Sequence, residues 1–110
     1  MKYRNNPCIV GGEKYRSQRE AKRHQELLLL QRAGKISGLT REVAFELSPG
    51  VKIDGEDRKR PPLRYVADFV YSDVTAGRVV VEDAKGVQTP VYRLKKHLMA
   101  TLRGIHVKEV

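Results

Sequence analysis

The sequence predicts an α/β fold, with a central mixed sheet flanked by helices. Three observations lead there. Two stretches carry helix start and stop signals. Three β-rich stretches lie between them, and a short apolar run follows the second helix. Helix, three strands, helix, strand is an alternation that buries its apolar faces in packed layers. At 110 residues the chain has room for one core of modest size. With 6% aromatics and no tryptophan, that core should be aliphatic.

Residues 1–16 read as a basic arm or hairpin, and 17–110 as a single domain. In the arm, Cys8-Ile9-Val10 is a short apolar run, Gly11-Gly12 a turn signal and Glu13-Lys14-Tyr15 a return strand. Lys2, Arg4, Lys14 and Arg16 make it basic. Ser17 opens the first helix, which should run to about Ala33 and stop at Gly34. Ser17-Gln18-Arg19-Glu20 fits a capping box, in which Ser17 caps a backbone N–H and Glu20 reaches back. Leu27, Leu28 and Leu30 form the apolar stripe, with Ala21 and His24 earlier; Glu20 falls on the same face. Arg19, Lys22, Arg23 and Arg32 cover the other sides.

Beyond residues 35–39, Val43, Phe45 and Leu47 alternate with Ala44 and Glu46, the pattern of a strand with one wetter face. Ser48-Pro49-Gly50 breaks it. Asp54-Gly55 signals a turn, and Arg58-Lys59-Arg60-Pro61-Pro62 is a stiff basic loop, either merely solvated or in contact with phosphate. Residues 64–71 read as a central strand. Tyr65, Ala67, Phe69 and Tyr71 take one face, and Val66, Asp68 and Val70 the other. The hairpin partner is Val79-Val80-Val81-Glu82-Asp83-Ala84-Lys85-Gly86. Thr89 caps a second helix, with Pro90 at its first position, running to about Arg103. Leu94, Leu98, Ala100 and Leu102 make its apolar side, and Arg93, Lys95, Lys96 and His97 its basic one. Ile105-His106-Val107 reads as a last short strand.

Charge narrows the partner. With 22 Lys+Arg against 13 Asp+Glu the net charge is +9, which favours a polyanion, nucleic acid before an acidic membrane surface. No apolar run approaches the length of a membrane span, and no secretory signal opens the chain, so a cytoplasmic location is expected. The single Cys8 agrees with a reducing compartment, and the scattered His24, His97 and His106 make no zinc pattern.

On the valine-rich strand Asp83 and Lys85 share a face, while Glu82 points away. Charges at the end of an apolar face need partners. Glu20, Asp68, Asp83 and Lys85 are the set that the helix start and the two strands can bring together. Carboxylates suit a hard divalent cation such as Mg²⁺, with the main chain of Ala84 as a further ligand. A lysine beside them can position water or offset charge on a phosphate. Other readings of the same residues stand beside this one. In them Glu20 serves only the capping box, Asp68 only a structural ion pair, and Asp83 and Lys85 only each other. A β-bulge would exchange Glu82 for Asp83. Arg16, Lys59, Arg60, Arg64, Thr89, Tyr92, Lys95 and Lys96 are the candidates for DNA contact, with a cap and a solvated helix face as the alternative for those on the second helix.

Asp68, then an interval of 15 positions, then Asp83-Ala84-Lys85 resembles the PD-(D/E)XK nuclease superfamily, with Glu20 matching its frequent helical acid. The run Ser17, Glu20-Ala21, Tyr65-Val66-Ala67-Asp68-Phe69, Val81-Glu82-Asp83-Ala84-Lys85-Gly86, Thr89, Tyr92, Lys95 more closely resembles a small phage-encoded family described as Holliday-junction-resolvase-like. The likeness extends from about Lys2 to Leu102. Ala67 stands where the motif has proline, and Asp83 where glutamate is commoner. The resemblance implies a restriction-endonuclease-like α-β-β-β-α-β core and Mg²⁺-dependent cleavage of DNA, with Mn²⁺ able to substitute. It also implies branched DNA as substrate, and two symmetric cuts would call for a homodimer. The rival expectation is a nucleic-acid-binding module or adaptor in a phage replication or recombination complex, its acids structural.

Overall fold

The computed structural model describes residues 7–110. Lys2 and Arg4 of the basic arm, and the start of the resemblance at Lys2, lie outside the described residues. In chain order the elements are β1 (Cys8–Val10), β2 (Glu13–Tyr15), α1 (Gln18–Arg32), β3 (Ile36–Ser48), β4 (Leu63–Asp73), β5 (Arg78–Asp83), α2 (Pro90–Arg103) and β6 (Lys108–Glu109). The arm is a hairpin, and after it the order is helix, three strands, helix, strand. β3, β4, β5 and β6 form one sheet in that order. The first three are antiparallel and β6 runs parallel to β5, so the sheet is mixed.

Local chemistry explains most boundaries. A two-residue hairpin needs positive φ at both loop positions, and Gly11 (+58°) and Gly12 (+81°) supply it between β1 and β2. Ser17 caps α1, its side chain accepting from the Glu20 amide at 3.2 Å. At the other end Gly34 donates to Gln31 O (3.0 Å) and Lys35 to Leu30 O (2.9 Å), the paired bonds of a Schellman stop. Thr89 caps α2 by accepting from the Tyr92 amide at 3.0 Å. β6 begins later than residues 105–107. The Gly104 and Ile105 amides are taken by Ala100 O and Met99 O at the helix end, so pairing with β5 starts at Lys108.

The core has two parts, on opposite sides of the sheet. Leu47, Tyr65, Ala67, Val81, Tyr92, Met99 and Val107 cluster on the α2 side. Leu27, Ile36, Phe69 and Tyr71 cluster on the α1 side. Val80 packs with the α1 cluster and Val81 with the α2 cluster, as alternation on β5 requires. The predicted stripe of α1 is buried over its first turns, and that of α2 is displaced. α1 buries Glu20, Ala21, His24 and Leu27, while Leu30 in its last turn stays exposed. α2 turns Tyr92 and Met99 to the sheet and leaves Leu94 and Leu102 more than half exposed, because Tyr92 is anchored through Glu109 of β6 at 2.8 Å.

β3 is irregular where it passes Asp68. The pairs Arg41–Phe69 and Val43–Ala67 place Glu42 opposite Asp68, and Glu42 has φ +52°, a conformation that non-glycine residues seldom adopt in a strand. Simple alternation fails there. Ala67, Asp68 and Phe69 are all buried, Ala67 in the α2 cluster and Phe69 in the α1 cluster. The face predicted for Tyr65, Ala67, Phe69 and Tyr71 is therefore split in two at Asp68.

Candidate active site

Two carboxylates meet at the end of the β4–β5 hairpin. Phe69 pairs with Glu82 and Val70 with Val81, so Asp68 and Asp83 come next, opposite one another. Both are buried. Asp68 Oδ2 accepts from the Ala84 amide at 2.9 Å, which fixes it against the turn leaving β5. Asp83 Oδ2 accepts from the Tyr65 hydroxyl at 2.5 Å. Its other oxygen, Oδ1, is buried without a hydrogen-bond donor. Lys85 Nζ stands 3.5 Å from that atom, at ion-pair range, and 5.4 Å from the centre of the Tyr92 ring.

The electrostatics follow from this crowding. Burial, and then the neighbouring Asp83 carboxylate, push the Asp68 pKa up to about 7; the Ala84 amide and Lys85 pull against them. Burial and the Asp83 carboxylate likewise hold the Tyr65 hydroxyl far above its ordinary range. Two adjacent buried carboxylates cannot both ionise without a counter-charge. A proton held on Asp68 relieves the crowding below neutrality. Above it, a divalent cation suits an oxygen pair of which one atom lacks a hydrogen-bond donor, and the donor set is of the hard type that Mg²⁺ and Mn²⁺ accept.

Glu82 is held by partners of its own, away from the pair. It points to the α1 side, where Arg23 grips it twice (2.8 and 2.7 Å) and the Tyr71 hydroxyl donates to it. Arg23 is thus no solvated side of α1 but the counter-charge of a buried acid. The signal was present in the sequence: parity sends Glu82 inward, so some cation had to meet it.

Glu20 does not join the pair. Its carboxylate is buried on α1, as the helix phase predicts, but Arg41 of β3 takes it at 3.1 Å. Arg41 also bonds Glu13 (2.8 Å) and lies over the Tyr15 ring at 4.2 Å, fastening the hairpin to helix and sheet. Nor is there a full capping box, since Ser17 caps but Glu20 is spent on Arg41. Among the described residues no three His, Cys, Asp or Glu side chains gather as a metal cluster. The expected third carboxylate is thus paired with a guanidinium from β3.

The expected DNA-contact residues divide. Thr89 is the α2 cap, Tyr92 is buried with its hydroxyl on Glu109, and Lys96 pairs with Glu109 at 3.1 Å. These three have partners within the fold, and Tyr92 is the buried one. Arg60 is exposed but held by Glu56 at 2.8 and 2.6 Å, and Arg16 pairs with Glu42 at 3.4 Å. Lys59 and Arg64 are exposed and Lys95 half-buried, with no ion pair among the described residues. No helix among the described residues is long and apolar enough to cross a membrane.

A family model described as "Protein of unknown function (DUF1064)" matches residues 1–108, and the chain belongs to that family. No curated protein and no solved structure matches it.

Proposed function

We propose that this DUF1064 chain is a metal-dependent DNA endonuclease of the PD-(D/E)XK kind, with Asp68, Asp83 and Lys85 at its centre. One observation carries the reading. Two buried carboxylates face each other across neighbouring strands, one keeps an oxygen with no hydrogen-bond donor, and a lysine stands 3.5 Å from that oxygen. The order of helices and strands agrees with a restriction-endonuclease-like core, and the resemblance in sequence points the same way.

Asp83 Oδ1 and Asp68 would hold Mg²⁺ or Mn²⁺, with the main chain of Ala84 in reach as a further ligand. When bound, the ion supplies charge neutralisation and polarisation of the phosphodiester. Tyr65 fixes one oxygen of Asp83 and so presents the other. Lys85 positions the attacking water and offsets negative charge as the phosphate is attacked. Glu20 is left out, which makes a single ion held by two carboxylates the reading. Lys59, Arg64 and Lys95 remain the contacts for the DNA backbone. Branched DNA, a homodimer making two symmetric cuts, a phage source and the host cytoplasm follow from the resemblance.

The test is cleavage of linear and four-way-junction DNA with Mg²⁺, comparing wild type with Asp83→Asn. Loss of the charged ligand is expected to lower cutting by about a hundredfold or more. Equal cutting by the two proteins would remove the assigned site. DNA bound but never cut in any divalent ion would favour the binding-module reading, which the capture of Glu20 by Arg41 supports.

A further inference from the structure

We propose, on the nuclease reading above, that Arg19 and Lys22 form a phosphate subsite beside the 84–86 turn. It would take a DNA backbone phosphodiester next to the one that is cut. A cleft of about 360 Å³ opens between the start of α1 and the end of β6, lined by Arg19, Lys22, Arg23, Glu26 and Val110. Its internal pairing leaves two cations over. Arg23 is consumed by Glu82 and Glu26, the latter at 3.2 Å. Arg19 donates to an oxygen of Val110 at 3.4 Å, and among the described residues neither Arg19 nor Lys22 has a side-chain carboxylate partner. Three apart on one helix, the two side chains are neighbours on its surface.

The cleft adjoins the carboxylate pair by two routes. The Val110 amide donates to Asp83 O at 3.1 Å, so Arg19 lies one residue away from the main chain of Asp83. Gly86 follows Lys85 directly, and a side chain there would meet first the Arg19 Nε, 3.9 Å from its Cβ. Gly86 therefore sets Lys85 one residue from the Arg19 guanidinium. A planar guanidinium with a neighbouring ammonium matches a phosphodiester, which offers acceptor oxygens and a single negative charge.

The test measures binding of a short labelled duplex by fluorescence anisotropy, in EDTA, over a range of salt concentrations. Arg19→Ala with Lys22→Ala is expected to weaken binding about tenfold. It should also flatten the slope of log K against log salt by about one for each phosphate no longer neutralised. Arg32→Ala with Lys35→Ala removes the same charge at the far end of α1 and should leave the slope nearly unchanged. Arg19→Lys should keep most of it. Circular dichroism checks that each variant is folded. Equal losses in the two double variants, or no binding by wild type, would overturn the subsite. So would inorganic phosphate shifting NMR signals of the cleft residues while the Arg19–Lys22 variant binds duplex as wild type does. Binding is read without metal and cutting with Mg²⁺, so a wild type that binds through this cleft in EDTA but never cuts in Mg²⁺ removes the nuclease and keeps the subsite. A wild type that cuts, beside a variant that binds normally, does the reverse.

Discussion

Asp83 offers one oxygen to Tyr65 and keeps the other free of hydrogen bonds beside Lys85, and this division of labour governs the site. Tyr65→Phe frees Asp83 to rotate. It should lower Mn²⁺ affinity about tenfold or more by calorimetry and cost about 1–2 kcal/mol of stability in urea. Unchanged affinity would show that the hydroxyl does not orient the ligand. Asp68 gives a prediction in pH. Its pKa is about 7 in the fold against 3.8 ordinarily, so between those values the folded state keeps a proton that the unfolded chain has released. Metal-free stability should therefore fall as pH rises from about 4 to 7. At pH 8 in EDTA, Asp68→Asn removes the cost of that charge and should be the more stable protein, by up to about 4 kcal/mol, while losing metal binding. A less stable variant at pH 8 would place the strain elsewhere.

The strand carrying Asp68 is held by a neighbour with a left-handed residue directly opposite, Glu42 at φ +52°. Glycine has no penalty there, so Glu42→Gly should raise the thermal midpoint, worth about 1 kcal/mol. A loss instead would mean that its ion pair with Arg16 outweighs the backbone cost. Much at this scale was legible in the residues. Caps, stops, the glycine hairpin and the β4–β5 pairing rest on local chemistry that a sequence displays, and alternation placed Asp83 and Lys85 away from Glu82. The kink at Glu42 was not legible, because nothing local asks a glutamate to turn left-handed. Nor was the fate of Glu20. Its burial follows from helix phase, but its partner Arg41 comes from a strand 21 positions on, and phase says nothing of what a distant strand delivers. The α2 face was misplaced for a similar reason, since leucines mark where apolar surface lies and not which part of it the sheet covers.

In the whole molecule a single sheet separates two small apolar clusters, so neither side can be lost without exposing the strands they share. Leu27 on one side and Met99 on the other are both fully buried. Leu27→Ala and Met99→Ala should each cost about 2–5 kcal/mol and each give one cooperative transition, with circular dichroism and tyrosine fluorescence coinciding. Separate transitions would mean that the two sides fold independently. The same sheet has a consequence for length. Adjacent acids on β5 are dealt to opposite sides, Glu82 to Arg23 and Asp83 to Tyr65. The count of residues in the 74–77 connection thus works like a reading frame. Delete one, let the strand slide by a single step, and each acid inherits the other's surroundings: composition is almost untouched, yet the chemistry is scrambled. Insertions and deletions tolerated there should be those that restore the frame.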